Sequence, residues 1–177
     1  SWASRGLGDV YKRQVYNSNR INFKNLTIYP KTNTDYLYTY KGAELIGSQL
    51  SIDSCIIRGL NDPLFRNGIT FVHTDSLSVT NCHFIDLDNG LTLSDYQWFG
   101  SDYFYGNNYV INNTFDSVTN CIHLLGQLSG DTTIVSRNVM SNPDMAVDFG
   151  PDSYCVRFIM EKNKIIEAAT YSLKAGS

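Results

Sequence analysis

The chain has 177 residues, with 14 Lys and Arg against 17 Asp and Glu, for a formal net charge of −3. That balance argues against a nucleic-acid or anionic-membrane surface, which needs clustered cations, and no apolar run is long enough to span a bilayer. Four cysteines, Cys55, Cys82, Cys121 and Cys155, lack the CxxC or His/Cys spacing of a zinc site and count as small apolar residues.

In chain order, residues 1–14, SWASRGLGDVYKRQ, read as a non-native disordered leader, the translated scar of a sequencing adapter. Residues 15–177 are enough for one domain with a sizeable core. The domain reads as a fragment of a longer protein, truncated at both ends.

Inside it a six-residue pattern recurs. Its closing apolar residue is Ile28 in FKNLTI, Ile57 in IDSCII, Phe84 in VTNCHF, Phe115 in VINNTF, Val139 in IVSRNV and Ile165 in MEKNKI, at spacings of 29, 27, 31, 24 and 26 residues. A second apolar position, Leu37, Leu64, Leu91, Ile122, Val147 and Leu173, follows these by 9, 7, 7, 7, 8 and 8 residues. Two columns sharing one period mark a repeat architecture.

Residue type decides which one. The elements are short, alternate apolar with polar, favour Ile, Val, Thr, Phe and Tyr, and are separated by Asn, Asp, Gly and Ser. The reading is all-β: a single-stranded right-handed parallel β-helix, a solenoid of about five to six coils of 24–31 residues, each strand stacked on its equivalent one coil away. Asn25, Ser54, Asn81, Asn112 and Ser136, with Lys162 departing, form one polar column. Asp35, Asp62, Asn89 and Asn120, with Met145 and Tyr171 departing, form another. Stacked amides and carboxylates of this kind hold turns in one shape. Cys55 and Cys82 share a column with Leu26, Asn113, Arg137 and Asn163. Rungs ~4.8 Å apart bring that pair within reach of disulfide geometry, although a buried, reduced stack is favoured.

Chemistry is sought on outward positions. If the second apolar column points inward, the next residue in each coil points outward, giving Tyr38, Phe65, Thr92, His123, Asp148 and Lys174. The candidate catalytic residues are therefore His123, Asp148 and Lys174, an imidazole beside a carboxylate with an ammonium one rung further. The long coil after Leu91 carries SDYQWFGSDYFYGNNY, and Tyr96, Trp98, Phe99, Tyr103 and Tyr105 there are either a platform for sugar rings or a hydrophobic cover. Arg58 and Arg66 are candidate ligands for carboxylate or sulfate groups, with Arg137, Arg157 and Lys162 further along. His73 and His83 read as ordinary polar residues. Asp86, Asp88 and Asp95 offer only a weak calcium signal, because no DxDxDG-like loop contains them.

In INFKNLTI, LSIDSCIIRG, DPLFRNG and LSVTNCHFID the chain resembles right-handed β-helix proteins of the pectate lyase and chondroitinase B type. It is most similar to secreted Bacteroidetes-type members without an assigned activity. The resemblance covers roughly residues 21–175 and rests on fold motifs. It implies an extracellular or cell-surface location, association with polysaccharide, and calcium as a family cofactor; no family base or ligand set maps onto this chain residue by residue. Two expectations follow: a glycan-binding or stalk module, or a polysaccharide lyase acting on a uronic-acid polymer by β-elimination. A glycoside hydrolase would need a carboxylate partner for Asp148 that its column does not contain. Oligomeric state is not encoded in any of these features.

Overall fold

The computed structural model describes residues 14–18, 21–28, 43–59, 67–94, 107–125, 127–128, 132–150, 154–155, 157–169 and 171–174. These residues form 17 strands and no helix. Fifteen strands share one sheet, and Gln127–Leu128 pairs separately with Tyr154–Cys155. Every strand pairing is parallel, between segments about one period apart, so the chain winds as a β-solenoid.

Three ladders line its faces. The first aligns Ile21, Leu50, Leu77, Asn108, Thr133 and Phe158. The second aligns Ile28, Ile57, Phe84, Phe115, Met140 and Ile165. The third aligns Ala43, Ile69, Leu91, Ile122, Val147 and Leu173. Three coils, residues 77–94, 108–125 and 133–149, are described from first face through third without a break, where the sequence suggested five to six; strands in the same register continue on either side.

Strand alternation sends every second side chain inward. Leu77, Val79, Phe84, Leu91, Leu93, Val110, Phe115, Ile122, Leu124, Val135, Met140 and Val147 are almost fully buried as a result. Phe84 and Phe115 stack with ring centroids 4.7 Å apart and planes within 7°. Burying such a side chain stabilises by about 1.5–3 kcal/mol.

Corners are made by single residues in the left-handed conformation. Asn25, Ser54, Asn81, Asn112, Arg137 and Lys162 have φ of 54–58° between first and second faces. Asp86, Ser117, Asn142 and Glu167 do the same after the second face, with φ of 54–56°. Asn and Asp tolerate this region best among residues with a Cβ. At Gly59, which sits in register with Asp86, a Cβ would collide with the Asp86 carbonyl oxygen.

The residue after the first corner turns inward, and here the sequence register needs correcting by one position. Asn138, not Arg137, follows Asn113 in the column, while Arg137, not Ser136, takes the left-handed site. Met140, not Val139, continues the Phe84 and Phe115 column. The pattern IVSRNVM contains two apolar candidates, and only burial separates them: Met140 is 0 % exposed.

The third ladder needs a larger correction. Ile69 and Ala43 occupy the rungs assigned to Leu64 and Leu37, and Asn67 replaces Asp62 beside Asn89. A constant offset fails there because the chain between second and third faces is longer in the first two coils. Leu37, Tyr38, Asp35, Leu64, Phe65 and Asp62 themselves lie outside the described residues.

Candidate functional site

The outward column of the third face is built by strands Asn67–Thr80, His83–Ser94, Thr114–Leu125, Met145–Phe149 and Tyr171–Lys174. Their register places Thr70, Thr92, His123, Asp148 and Lys174 on successive rungs, with Glu44 one rung before Thr70. The three candidate catalytic residues are thus neighbours in one ladder. Thr70, rather than Phe65, precedes Thr92.

His123 Nε2 lies 3.3 Å from Asp148 Oδ2. The two side chains retain 22 % and 11 % of their exposure, so the contact is largely withdrawn from water, where charge pairing strengthens. Asp148 Oδ1 is buried and accepts no hydrogen bond among the described residues. Thr70 and Thr92 are also buried, at 6 % and 8 %, although their side chains point away from the core. A carboxylate with one oxygen on an imidazole can orient that imidazole and stabilise its protonated form. Lys174 is placed by its backbone register with Asp148.

The other sequence candidates disperse. Arg58 stands exposed on the second face with its guanidinium 3.7 Å from Asp86, away from the His123 column. Arg137 and Lys162 occupy the first corner, also exposed. Tyr96, Trp98, Phe99, Tyr103, Tyr105, Arg66, His73's side chain and Asp95 fall outside the described residues. His83, on the outer side of the second face, has its Nε2 buried without a partner among the described residues.

Calcium was implied by the resemblance alone. No group of three or more His, Cys, Asp or Glu side chains converges among the described residues, and Asp86 is turned to Arg58.

One polar cluster was missed by sequence reading. Asp53 Oδ1 accepts from Asn81 Nδ2 at 2.8 Å and Thr80 Oγ1 at 3.0 Å, while Oδ2 lies 3.1 Å from Lys24 Nζ. The bonds from Asn81, Lys24 and Thr80 hold the Asp53 carboxyl at about 2. These residues share adjacent rungs, so the cluster was discoverable once the register Lys24, Asp53, Thr80 was drawn. Its saturated bonding suits a structural role.

Cys55, Cys82 and Cys121 are free and buried. Burial pushes the Cys82 thiol up to about 12 and raises Cys55 and Cys121 as well, so none presents a thiolate. Cys55 and Cys82 are the reduced stack favoured from the sequence.

No described helix is long and apolar enough to cross a membrane. Searches of family models, curated proteins and solved structures each return no match to this chain.

Proposed function

We propose that this chain is a β-solenoid module of a secreted or cell-surface protein that associates with polysaccharide, with the outward column of its third face in contact with the sugar. The observation carrying this reading is the run Thr70, Thr92, His123 and Asp148 in unbroken register. It sets a hydroxyl, a hydroxyl, an imidazole and a carboxylate ~4.8 Å apart, a spacing of the order of one sugar ring. Ligand sites pair a scaffold with a few placed polar groups, and the aromatic segment 95–106 follows Ser94 of this face directly in sequence. Trp98 and its neighbouring tyrosines supply flat apolar surface for ring stacking.

The test is binding of the full chain to neutral, amino-sugar and uronic-acid polysaccharides in solution. Retention of at least one polymer, lost in Trp98→Ala and in Asp148→Ala, supports the module; absence of binding across the panel refutes it.

The 3.3 Å contact between His123 and Asp148 favours a second reading, polysaccharide lyase. In β-elimination His123 would remove the proton beside the uronate carboxyl, with Asp148 holding the imidazole and Lys174 on the next rung. The freed electron pair would form the C4–C5 double bond as the C4–O glycosidic bond breaks, and the departing oxygen would take a proton from water or the protonated imidazole. Release of unsaturated uronides from pectate, alginate or chondroitin, followed by ultraviolet absorbance, tests it. A rise abolished by His123→Ala establishes the lyase; no rise, with binding retained, leaves the non-catalytic module.

A further inference from the structure

We propose that Asn25 and Asn112 are acceptor sites for an N-linked oligosaccharide. This inference rests on the reading that the chain is exported. The sequence contains Asn25-Leu26-Thr27 and Asn112-Asn113-Thr114, each an Asn followed two residues later by a threonine hydroxyl.

The fold puts both at one structural position. Asn25 and Asn112 occupy the left-handed site of the first corner, with φ of 55° and 58°, and both are exposed. The left-handed residue projects out of the corner while the next one, Leu26 or Asn113, turns toward the core. A sugar joined to either amide therefore extends into solvent without disturbing the interior.

Asn81 provides an internal contrast. It has the same position and a φ of 55°, but Cys82-His83 follows it, and its Nδ2 is engaged by Asp53 Oδ1 at 2.8 Å. Among the described residues no hydrogen bond of this kind holds the Asn25 or Asn112 amide, so modifying either nitrogen sacrifices none of the contacts described. The two acceptors are three rungs apart, ~14 Å at ladder spacing, which leaves room for a glycan on each. They stand on the corner between first and second faces, away from the His123 column of the third face.

The co-reactant is a lipid-linked oligosaccharyl pyrophosphate. The asparagine amide nitrogen bonds to the anomeric carbon of the first sugar, the carbon–oxygen bond to the pyrophosphate breaks, and the amide gives up one proton. The lipid pyrophosphate leaves with the bonding electron pair.

The experiment places the full chain behind a cleavable export signal in a eukaryotic secretory host. Cell and medium fractions are pooled, so a chain that is retained still reports. Two additions are expected, removed by an N-glycan amidase that converts the acceptor asparagines to aspartates, which peptide mass spectrometry then locates. Asn25→Gln and Asn112→Gln should each remove one addition, the double variant should carry none, and Asn81→Gln should keep both. An unmodified chain, or additions that persist in the double variant, overturns the proposal. Glycan binding is measured separately on unmodified chain, so failure of that reading would leave a different signature.

Discussion

Two polar ladders run along this solenoid, one inside it and one outside, and they are finished differently. Inside the first corner, Asn113, Asn138 and Asn163 form a closed network. Asn113 Nδ2 donates to Asn138 Oδ1 at 3.0 Å, and Asn138 Nδ2 to Asn163 Oδ1 at 2.9 Å. Each Oδ1 also accepts a backbone N–H from the rung before, from Cys82, Asn113 and Asn138 in turn, and each Nδ2 also reaches a carbonyl, of Val79, Val110 and Val135. On the third face the outward ladder leaves Asp148 Oδ1 buried and, among the described residues, unpartnered. A satisfied buried network specifies structure, whereas an unsatisfied buried acceptor calls for another explanation. The difference marks the inner ladder as structural and supports the proposal that the outer one serves recognition.

Substitutions that empty the inner ladder should have the largest effect. Asn138→Ala removes both partners of the Asn113 side and both donor bonds of Asn138, leaving buried groups unpaired. At about 1 kcal/mol for each net hydrogen bond, a loss of about 3–4 kcal/mol is expected in urea unfolding, with polysaccharide binding by the folded fraction unchanged. A loss below about 1 kcal/mol would mean that the ladder is decorative.

The thiol half of the same column gives a smaller effect of opposite sign. Cys82 Sγ already lies 3.7 Å from Ile52 O, the rung equivalent of the Val79 carbonyl that Asn113 engages. Cys82→Asn should extend the ladder by one rung and raise stability by about 1 kcal/mol. A fall in melting temperature would show that the thiol position is too tight for an amide.

Asp53 adds a pH dependence. Its folded-state value near 2 lies below the ordinary 3.8, so its contribution is complete above that range and is lost as pH falls toward 2. The urea midpoint should fall between pH 4 and pH 2, and Asp53→Asn should flatten that part of the profile. An identical slope in the variant would place the acid sensitivity elsewhere.

The smallest structural effect belongs to the outer ladder. Asp148→Asn keeps the size of the side chain and one oxygen acceptor, so His123 can still donate to it as a neutral imidazole. A shift within about 0.5 kcal/mol is expected by thermal unfolding. A loss comparable to that of Asn138→Ala would make Asp148 a structural residue.

The periodic positions were legible because alternation and period come from the same inward-facing side chains. Phe84 and Leu91, the two periodic apolar positions of their coil, and Cys82, counted as a small apolar residue, are all buried to within 1 %. Asn89 and Asn120 do bond, at 2.9 Å, and that short ladder stops where Met145 offers no donor or acceptor. Register was lost where spacing alone had to decide. Val139 and Met140 are equally apolar, and nothing local shows which faces inward. The inner amide ladder was masked by the same slip, since Arg137 stood in the place of Asn138. The site was legible as a column of titratable residues because His123, Asp148 and Lys174 keep nearly the same offset, 8, 8 and 9 residues, from Phe115, Met140 and Ile165. Its members before Thr92 were not, because insertions at the second corner break that offset. The 3.3 Å approach of His123 to Asp148 depends on rotamers that no sequence pattern encodes.

The most direct measurement compares the affinity of wild-type chain, Asp148→Asn and Asn138→Ala for the polysaccharide retained most tightly, each at a temperature where it is folded. The assignment of recognition to the outer ladder requires at least a tenfold weaker dissociation constant for Asp148→Asn and an unchanged one for folded Asn138→Ala. Equal affinities for Asp148→Asn and wild type would contradict it.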